Sequence, residues 1–446
     1  MNLHRYFPHT PEDVEAMLKA CNASSLEDLY RDVPPQLRLK DGYSLPEAMS
    51  EKEIRDFFKS LEDKDRNLVC FAGAGFYHHC TPAVISALLS RSEYLTAYTP
   101  YQPEISQGTL QYIFEYQSMM ASLTGLDVSN ASMYDGATAT AEAMMMAVAA
   151  SRKRSRVLVS ATVNPAVRTV AATYARYHKI CLDSIPATED GITDLEAMYA
   201  MLDGGDVAGV ILPSPNYYGI IEDFTGVADR IHAAKALMIM NCKASSLAVL
   251  RTPGEWGADI AAGDAQSLGM PLNFGGPYLG FLCSTEALMR KMPGRIVGAT
   301  VDSRGQRVFV LTLQAREQHI RRGKATSNIC SNQGLMALHV AIYLSLMGPQ
   351  GMREVNNIGC AGAHALAGRL CATGKMSLKY PSSPFLDEFA LHTDLDIDAL
   401  IGRCASEGIL AGVKADSHTL LVAVTEMQTQ ADMDRFVGIV ENFEQP

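Results

Sequence analysis

The sequence predicts an α/β protein: a large domain on a mostly parallel sheet, a helical arm before it and a small α+β domain after it. Three observations carry that reading. Through the middle of the chain, short apolar runs recur roughly every 20 to 30 residues with helical stretches between them, the pattern of βαβ units. The N-terminal tract carries helix-cap grammar and no strand signal. After a long helical region the pattern turns β-rich. With 446 residues the chain can bury a large core.

The arm is expected over 1–65. Thr10-Pro11-Glu12-Asp13 sets a cap, a first-turn proline and acids at the positive helix end, and Ser24-Ser25-Leu26-Glu27 and Ser44-Leu45-Pro46-Glu47 repeat the arrangement. The large domain is expected over 66–376. Its strands are Val157 to Ser160, Ile180 to Ile185, Val207 to Leu212, Leu237 to Asn241 and Leu279 to Cys283. Helices fall at Pro165 to Tyr177, Asp194 to Leu202 and Phe224 to Ala236, followed by the long region Asn332 to Gly374. The small domain, 377–446, alternates FLDEFALHT, DIDALIGRCASEG, HTLLVAVTEMQT and DMDRFVGIVENF as strand, helix, strand, helix.

Composition bounds the partners. A formal charge of −11 argues against nucleic acid or an anionic membrane. The ten cysteines include no CxxC pair and sit mostly in apolar contexts, as expected of a reduced cytosolic protein. The start has no signal-peptide apolar region, and runs such as Ala143 to Ala150 fall short of the roughly 20 residues a membrane span needs. A soluble, cytoplasmic protein is expected.

Several segments carry candidate chemistry. Asn241 to Phe281 has the outline of a pyridoxal-phosphate (PLP) cradle, a strand end followed by a glycine-punctuated loop. Such a cradle needs a Schiff-base lysine on the loop and, one strand earlier, an acid to keep the pyridinium nitrogen protonated. The loop from Gly263 to Gly280 has no lysine, and the strand end carries Lys243 instead of an acid. Tyr98 to Gly108, YTPYQPEISQG, reads either as a pocket-lining loop or as a loop packed on the core. Met133 to Ala143 could receive a phosphate at a helix start, but Asp135 would repel it, so ordinary capping by Asp135 is the stronger reading. Gln314 to Gln333 gathers Arg316, His319, Arg321, Arg322 and Lys324 ahead of small polar residues, suited to an anionic group or to a solvated helix end. Tyr77-His78-His79-Cys80 lacks a second ligand pair, so structural histidines are expected and no metal site. Met144 to Met146 reads as helix core.

Taken together, YTPYQPEISQG, LTGLDVSNASMYDGATATAEAM, SPNYYGIIED, PGEWGADIAAGDAQSLGMPLNFGGPYLGF and QAREQHIRRGKATSNICSNQ resemble one family along essentially the whole chain. That family is glycine decarboxylase, the PLP component of the glycine cleavage system, and the match is to the N-terminal subunit of its two-chain form. The resemblance implies the fold-type-I PLP-transferase architecture and a heterooligomeric oxidoreductase of glycine catabolism. It implies that the C-terminal partner, subunit 2, carries the PLP while this chain binds no cofactor and is inactive alone. The complex would decarboxylate glycine and pass the aminomethyl group to the lipoyl arm of the H protein. The family's lysine slot falls near Gly269 and its pyridinium acid's slot at Lys243. Tyr98, Tyr101, Gln102 and Glu104, with Arg321, Lys324, Ser327 and Asn328, are the candidates for a wall of the partner's active site. Gly323 departs from the family, which more often has an acid there. The alternative is a non-catalytic scaffold or effector-binding protein on the same fold.

Overall fold

A computed structural model describes residues 8–39, 42–95, 98–151, 153–273, 275–314, 317–325, 327–331 and 333–444. The chain divides into two compact units, Met1–Arg66 and Asn67–Pro446.

In the first unit, helix α1 (Pro11–Ala20) starts as the sequence predicts. Thr10 Oγ1 accepts from the Asp13 amide, and the Asp13 carboxylate accepts from the Thr10 amide at 2.8 Å. The second cap yields only a 3₁₀ turn at Glu27–Tyr30, anchored by Asp28. The third yields no helix. Helix α2 (Glu51–Glu62) begins later, where Ser50 and Glu53 close the same reciprocal box. That later start needs no proline in the first turn and gains the pairs Glu51–Arg55 and Lys52–Asp56 one turn apart.

The second unit runs β1 (Val69–Cys70), α3 (Ala83–Leu89), α4 (Gln107–Thr124), β2 (Val128–Ser129), α5 (Gly136–Ser151), β3 (Arg156–Ser160), α6 (Pro165–His178), β4 (Cys181–Ile185), α7 (Leu195–Leu202) and β5 (Val207–Ser214). It continues α8 (Val227–Ala233), β6 (Leu237–Lys243), β7 (Ile260–Asp264), β8 (Gly280–Ser284), β9 (Ile296–Val301), β10 (Arg307–Thr312), α9 (Gln318–Arg321) and α10 (Gly334–Ala372). The last elements are β11 (Ser377–Leu378), β12 (Glu388–His392), α11 (Ile397–Ser406), β13 (Ile409–Leu410), β14 (Val413–Asp416), β15 (Thr419–Ala423) and α12 (Gln430–Glu441).

The main sheet has seven strands in the order β2-β8-β7-β6-β5-β3-β4. It is parallel except that β8 runs against both of its neighbours. Helices cover both faces, and the period-2 alternation of the strands sorts their side chains. Val157, Val159, Ile211, Ile239 and Leu282 pack toward α5 and α6. Leu158, Val210, Leu212, Met238, Met240 and Phe281 pack toward α4, α8 and α10. Strand β7 and the β9–β10 hairpin are among the elements absent from the sequence reading. Strand β7, IAAGD, has small residues because a Cβ on Gly263 would lie 1.9 Å from the Cys242 carbonyl oxygen. The β9–β10 hairpin falls in a stretch with no strong alternation.

Helix α10 is apolar and long enough to cross a membrane by length and composition alone. It breaks at Gly348, ahead of Pro349, and its halves join different cores: Ala337 to Tyr343 the sheet, Ala363 to Leu370 the C-terminal layer. That layer is an antiparallel sheet, β11-β12-β15-β14. Its core also takes Phe71, and β1 pairs in parallel with β13. The small C-terminal layer is thus stitched to the start of the large one.

Candidate functional site

Parallel strands end together at one edge of the sheet, where helix N-termini and loops leave a crevice. Here the ends of β5, β6 and β7, the start of α5 and the loop 74–77 enclose a cavity of about 460 Å³. Asn241, Lys243, Asp264, Gly136, Asn164, Tyr217 and Glu388 line it, and Phe76 and Tyr278 stack at 4.6 Å on its wall.

The cavity's charges answer one another. Lys243 extends from the end of β6 to an ion pair with Asp387, with side chains 9% and 6% exposed, and its ammonium lies 3.7 Å from the Tyr77 ring centroid. Next to Asp387, Glu388 accepts from the Ala74 amide at 2.6 Å and the Tyr77 hydroxyl at 2.7 Å. Burial pushes the Glu388 carboxyl up to about 7, against the pull of those two donors and of Lys243. Asp264, at the end of β7, accepts from the Gly136 amide at 2.9 Å and the Gln266 amide at 2.7 Å. Burial raises it too, to about 7, with Asp135 adding to the effect. Asp135 caps α5 by accepting from the Thr138 amide at 2.8 Å, as the capping reading of that motif expects.

Gly269 does not reach this cavity's wall. Its carbonyl accepts from Thr81 Oγ1 at 2.7 Å and pairs with His339 Nε2 at 3.0 Å. With φ at +75°, a Cβ there would meet the Tyr343 ring at 2.4 Å. Asp264, Gly275 and Tyr278 of this stretch line the cavity instead. These residues do not fit a PLP. The amide that would hold its phosphate holds a carboxylate of the chain itself, the ammonium at the strand end opposes a protonated ring, and residues 263–280 include no lysine.

The second predicted group comes together only in part, and of its eight residues Tyr98 alone lines the adjoining cavity. The Tyr98 loop and the segment 317–331 meet beside a cavity of about 360 Å³. The Tyr98 hydroxyl donates to Cys330 Sγ at 3.3 Å, and Thr99 and Ser331 hydroxyls lie 3.0 Å apart. Tyr101 accepts from Arg295 Nη2 at 2.9 Å, and its ring meets His319 edge-on at 5.6 Å. Ser327 donates to Glu142 at 2.9 Å, and the Asn328 carbonyl accepts from Tyr134 at 3.4 Å. Burial pushes the Cys330 thiol up, but Tyr98, the Ser331 amide and Arg295 together hold it below the ordinary thiol value. Burial raises Glu142 to about 7 despite Ser327. Gln102, Glu104, Arg321 and Lys324 are exposed, outside the cavity wall. Arg316 lies outside the described residues.

The sequence reading missed Arg295, Glu317, Glu142, Asp387 and Glu388. Arg295 and Glu317 form a buried ion pair, with Arg295 Nε 3.3 Å from the carboxylate and side chains 7% and 6% exposed. A lone arginine before the apolar run IVG was its one available signal. His79 packs against Glu426, Nδ1 to carboxylate oxygen 2.8 Å, in the structural role expected of it.

The fold is that of a PLP-transferase scaffold, and the charged groups of its crevice pair with one another. Solved structures at low identity share that fold: the Burkholderia pseudomallei sphingosine-1-phosphate lyase (TM-score 0.66, 14% identical, covering 92% of this chain and 93% of that one) and a Nostoc alanine–glyoxylate aminotransferase (0.62, 15%, 91% and 99%). A crystal structure of glycine decarboxylase (P-protein) of the glycine cleavage system, in inhibitor-bound form, superimposes at TM-score 0.87 and 41% identity over 98% of this chain and 99% of that one. A probable glycine dehydrogenase (decarboxylating) subunit 1 of Moorella thermoacetica is 49% identical over 97% of this chain and 98% of its own length. The counterpart in Geobacillus thermodenitrificans is 45% identical over 98% of each. The family model for the glycine cleavage system P-protein matches residues 4–440. The chain belongs to the glycine cleavage system P-protein family.

Proposed function

We propose that this chain is the cofactor-free subunit of a two-chain, cytoplasmic glycine dehydrogenase (decarboxylating), and that it contributes structure and one wall of its partner's active site. PLP, which supplies the electron sink for decarboxylation, belongs to the partner. The complex acts on glycine, and the aminomethyl group goes to the lipoyl arm of the H protein. The observation that carries this reading is the Asp264 carboxylate seated on the Gly136 amide, where a cofactor phosphate would bind, with Lys243 closed onto Asp387 nearby. All ten cysteines are free thiols, in keeping with a reducing compartment.

Within this chain the two cavities divide the work. The first, whose wall charges pair with one another, ties the sheet edge to the C-terminal layer. The second presents tyrosine hydroxyls, a guanidinium and small hydroxyls at a mouth formed by the Tyr98 loop and the segment 317–331. Those groups can orient a small anionic substrate and exclude water from it. The test is borohydride reduction of the two-chain complex with PLP, followed by mass mapping. A pyridoxyl-lysine in the partner alone supports the assignment, and a stoichiometric one at Lys243 overturns it.

A further inference from the structure

The Arg295 cavity has the construction of an anion pocket. Arg295 stands immediately before β9, its side chain 7% exposed, on the wall of the 360 Å³ cavity. Its guanidinium is under-used. Nη2 donates to Tyr101, Nη1 reaches only the Cys330 sulfur at 4.0 Å, and Nε, though 3.3 Å from Glu317, has no aligned hydrogen-bond partner among the described residues. Glu317 Oε1 is likewise buried without a partner. Unmade bonds on a buried guanidinium cost free energy, because water cannot replace them. Leu95, Ile113, Leu311 and Leu335 form an apolar part of the wall, the hydroxyls of Thr109, Ser132 and Ser331 and three tyrosines add to it, and Arg295 is the one cation among the described lining residues.

We propose that this cavity binds a small monocarboxylate, with the carboxylate on the guanidinium of Arg295 beside the Tyr98 hydroxyl and its remainder against the apolar wall. A planar fork with spare donors matches a carboxylate's two oxygens, which a sulfur contact does not. One cation and an apolar remainder select against dicarboxylates. Two sources supply such a group: the carboxyl of glycine itself, which rests on the functional reading above, or a separate monocarboxylate effector.

The experiment uses the two-chain complex and measures thermal unfolding with acetate, propionate, glycine, succinate and the neutral isostere acetamide. Acetate and propionate should raise the unfolding temperature, acetamide should not, and succinate should act more weakly. The paired variant Arg295→Gln/Glu317→Gln removes both charges at nearly constant volume and should weaken acetate at least tenfold, the loss of one charge-assisted contact. Leu335→Trp, which fills the cavity and leaves the ion pair, should give the same loss. Absence of a carboxylate-dependent shift in the unaltered complex, its survival in both variants, or an equal response to acetamide overturns the proposal. Glycine–CO2 exchange separates the sources. A tenfold rise in KM for glycine with kcat retained identifies the substrate's carboxyl, and an unchanged KM with acetate binding lost identifies an effector. An assembled complex that binds acetate but never exchanges glycine refutes the functional reading and leaves this one standing.

Discussion

Lys243→Met tests whether the lysine at the strand end is a structural clamp. The wild-type side chain pairs with Asp387 at 9% and 6% exposure and lies 3.7 Å from the Tyr77 ring centroid. Methionine keeps most of the volume but leaves the Asp387 carboxylate enclosed with no cation, a loss of about 3–5 kcal/mol. The lost contact with the Tyr77 face adds about 1 kcal/mol. Asp387→Leu alone strands the ammonium in the same way. The double substitution removes both charges and should cost far less than the sum of the single ones, giving a coupling of about 3 kcal/mol. Asp387 immediately precedes β12, so the loss should be read locally, by hydrogen exchange at the amides of Phe389 to His392 in the two-chain complex. Each single variant should open β12 more readily than the double variant does. If the single effects simply add, Lys243 is not a clamp, and its place on the cavity wall needs another explanation.

Three further outcomes are expected. Glu388 holds its proton to about 7 in the fold against an ordinary 4.5, so its contribution to stability is full below pH 4.5 and is lost as pH rises through 7, about 3 kcal/mol in all; Glu388→Gln should flatten the decline of the urea midpoint over that window. Asp264→Ala vacates the Gly136 amide, and inorganic phosphate should then stabilise the complex by about 1 kcal/mol at several times its Kd, with no effect on the parent; equal responses would show that Asp264 does not occupy an anion cradle. Tyr101→Phe removes the hydroxyl that holds Arg295 Nη2 and should slow glycine–CO2 exchange about fivefold, whereas the exposed Glu104→Gln should stay within about twofold; two unchanged rates with assembly intact would leave the Tyr98 loop a purely structural role.

The sheet was legible because its evidence is local. Val157, Val159, Ile211 and Ile239 alternate with Leu158, Val210, Leu212 and Met238, and each run is bounded by a helix signal. Strand β7 was not legible, because Gly263 and its small neighbours answer to a carbonyl on the adjacent strand that the sequence does not place. The third helix cap failed for a related reason: two boxes competed within a few residues, and the ion pairs that favoured Ser50 lie downstream of it. The meeting of Tyr98 and Tyr101 with the segment 317–331 was anticipated from motif content. Arg295, which joins them, was not, since its partners come from the loop before α4 and from the N-terminus of α9.

On the proposed reading, a single added lysine does not make the first cavity a cofactor site. An enclosed backbone amide left without an acceptor costs about 1–3 kcal/mol, so once no phosphate occupies the start of α5, something else must accept from Gly136. Asp264 does so, and the expense of enclosing its carboxylate is relieved by a proton held to about 7. A cation at the end of β6 creates its own demand, met by Asp387, whose neighbour Glu388 binds the loop at Ala74 and Tyr77. Sheet edge, entry loop and C-terminal layer therefore share one set of charges. A lysine at Gly269 enters none of it. Its backbone sits at φ +75° and its Cβ runs into Tyr343, so Gly269→Lys should destabilise the chain and still place no amine in the cavity. Of residues 263–280, Asp264, Gly275 and Tyr278 reach the wall, and vacating Asp264 returns the unsatisfied amide that its carboxylate now covers.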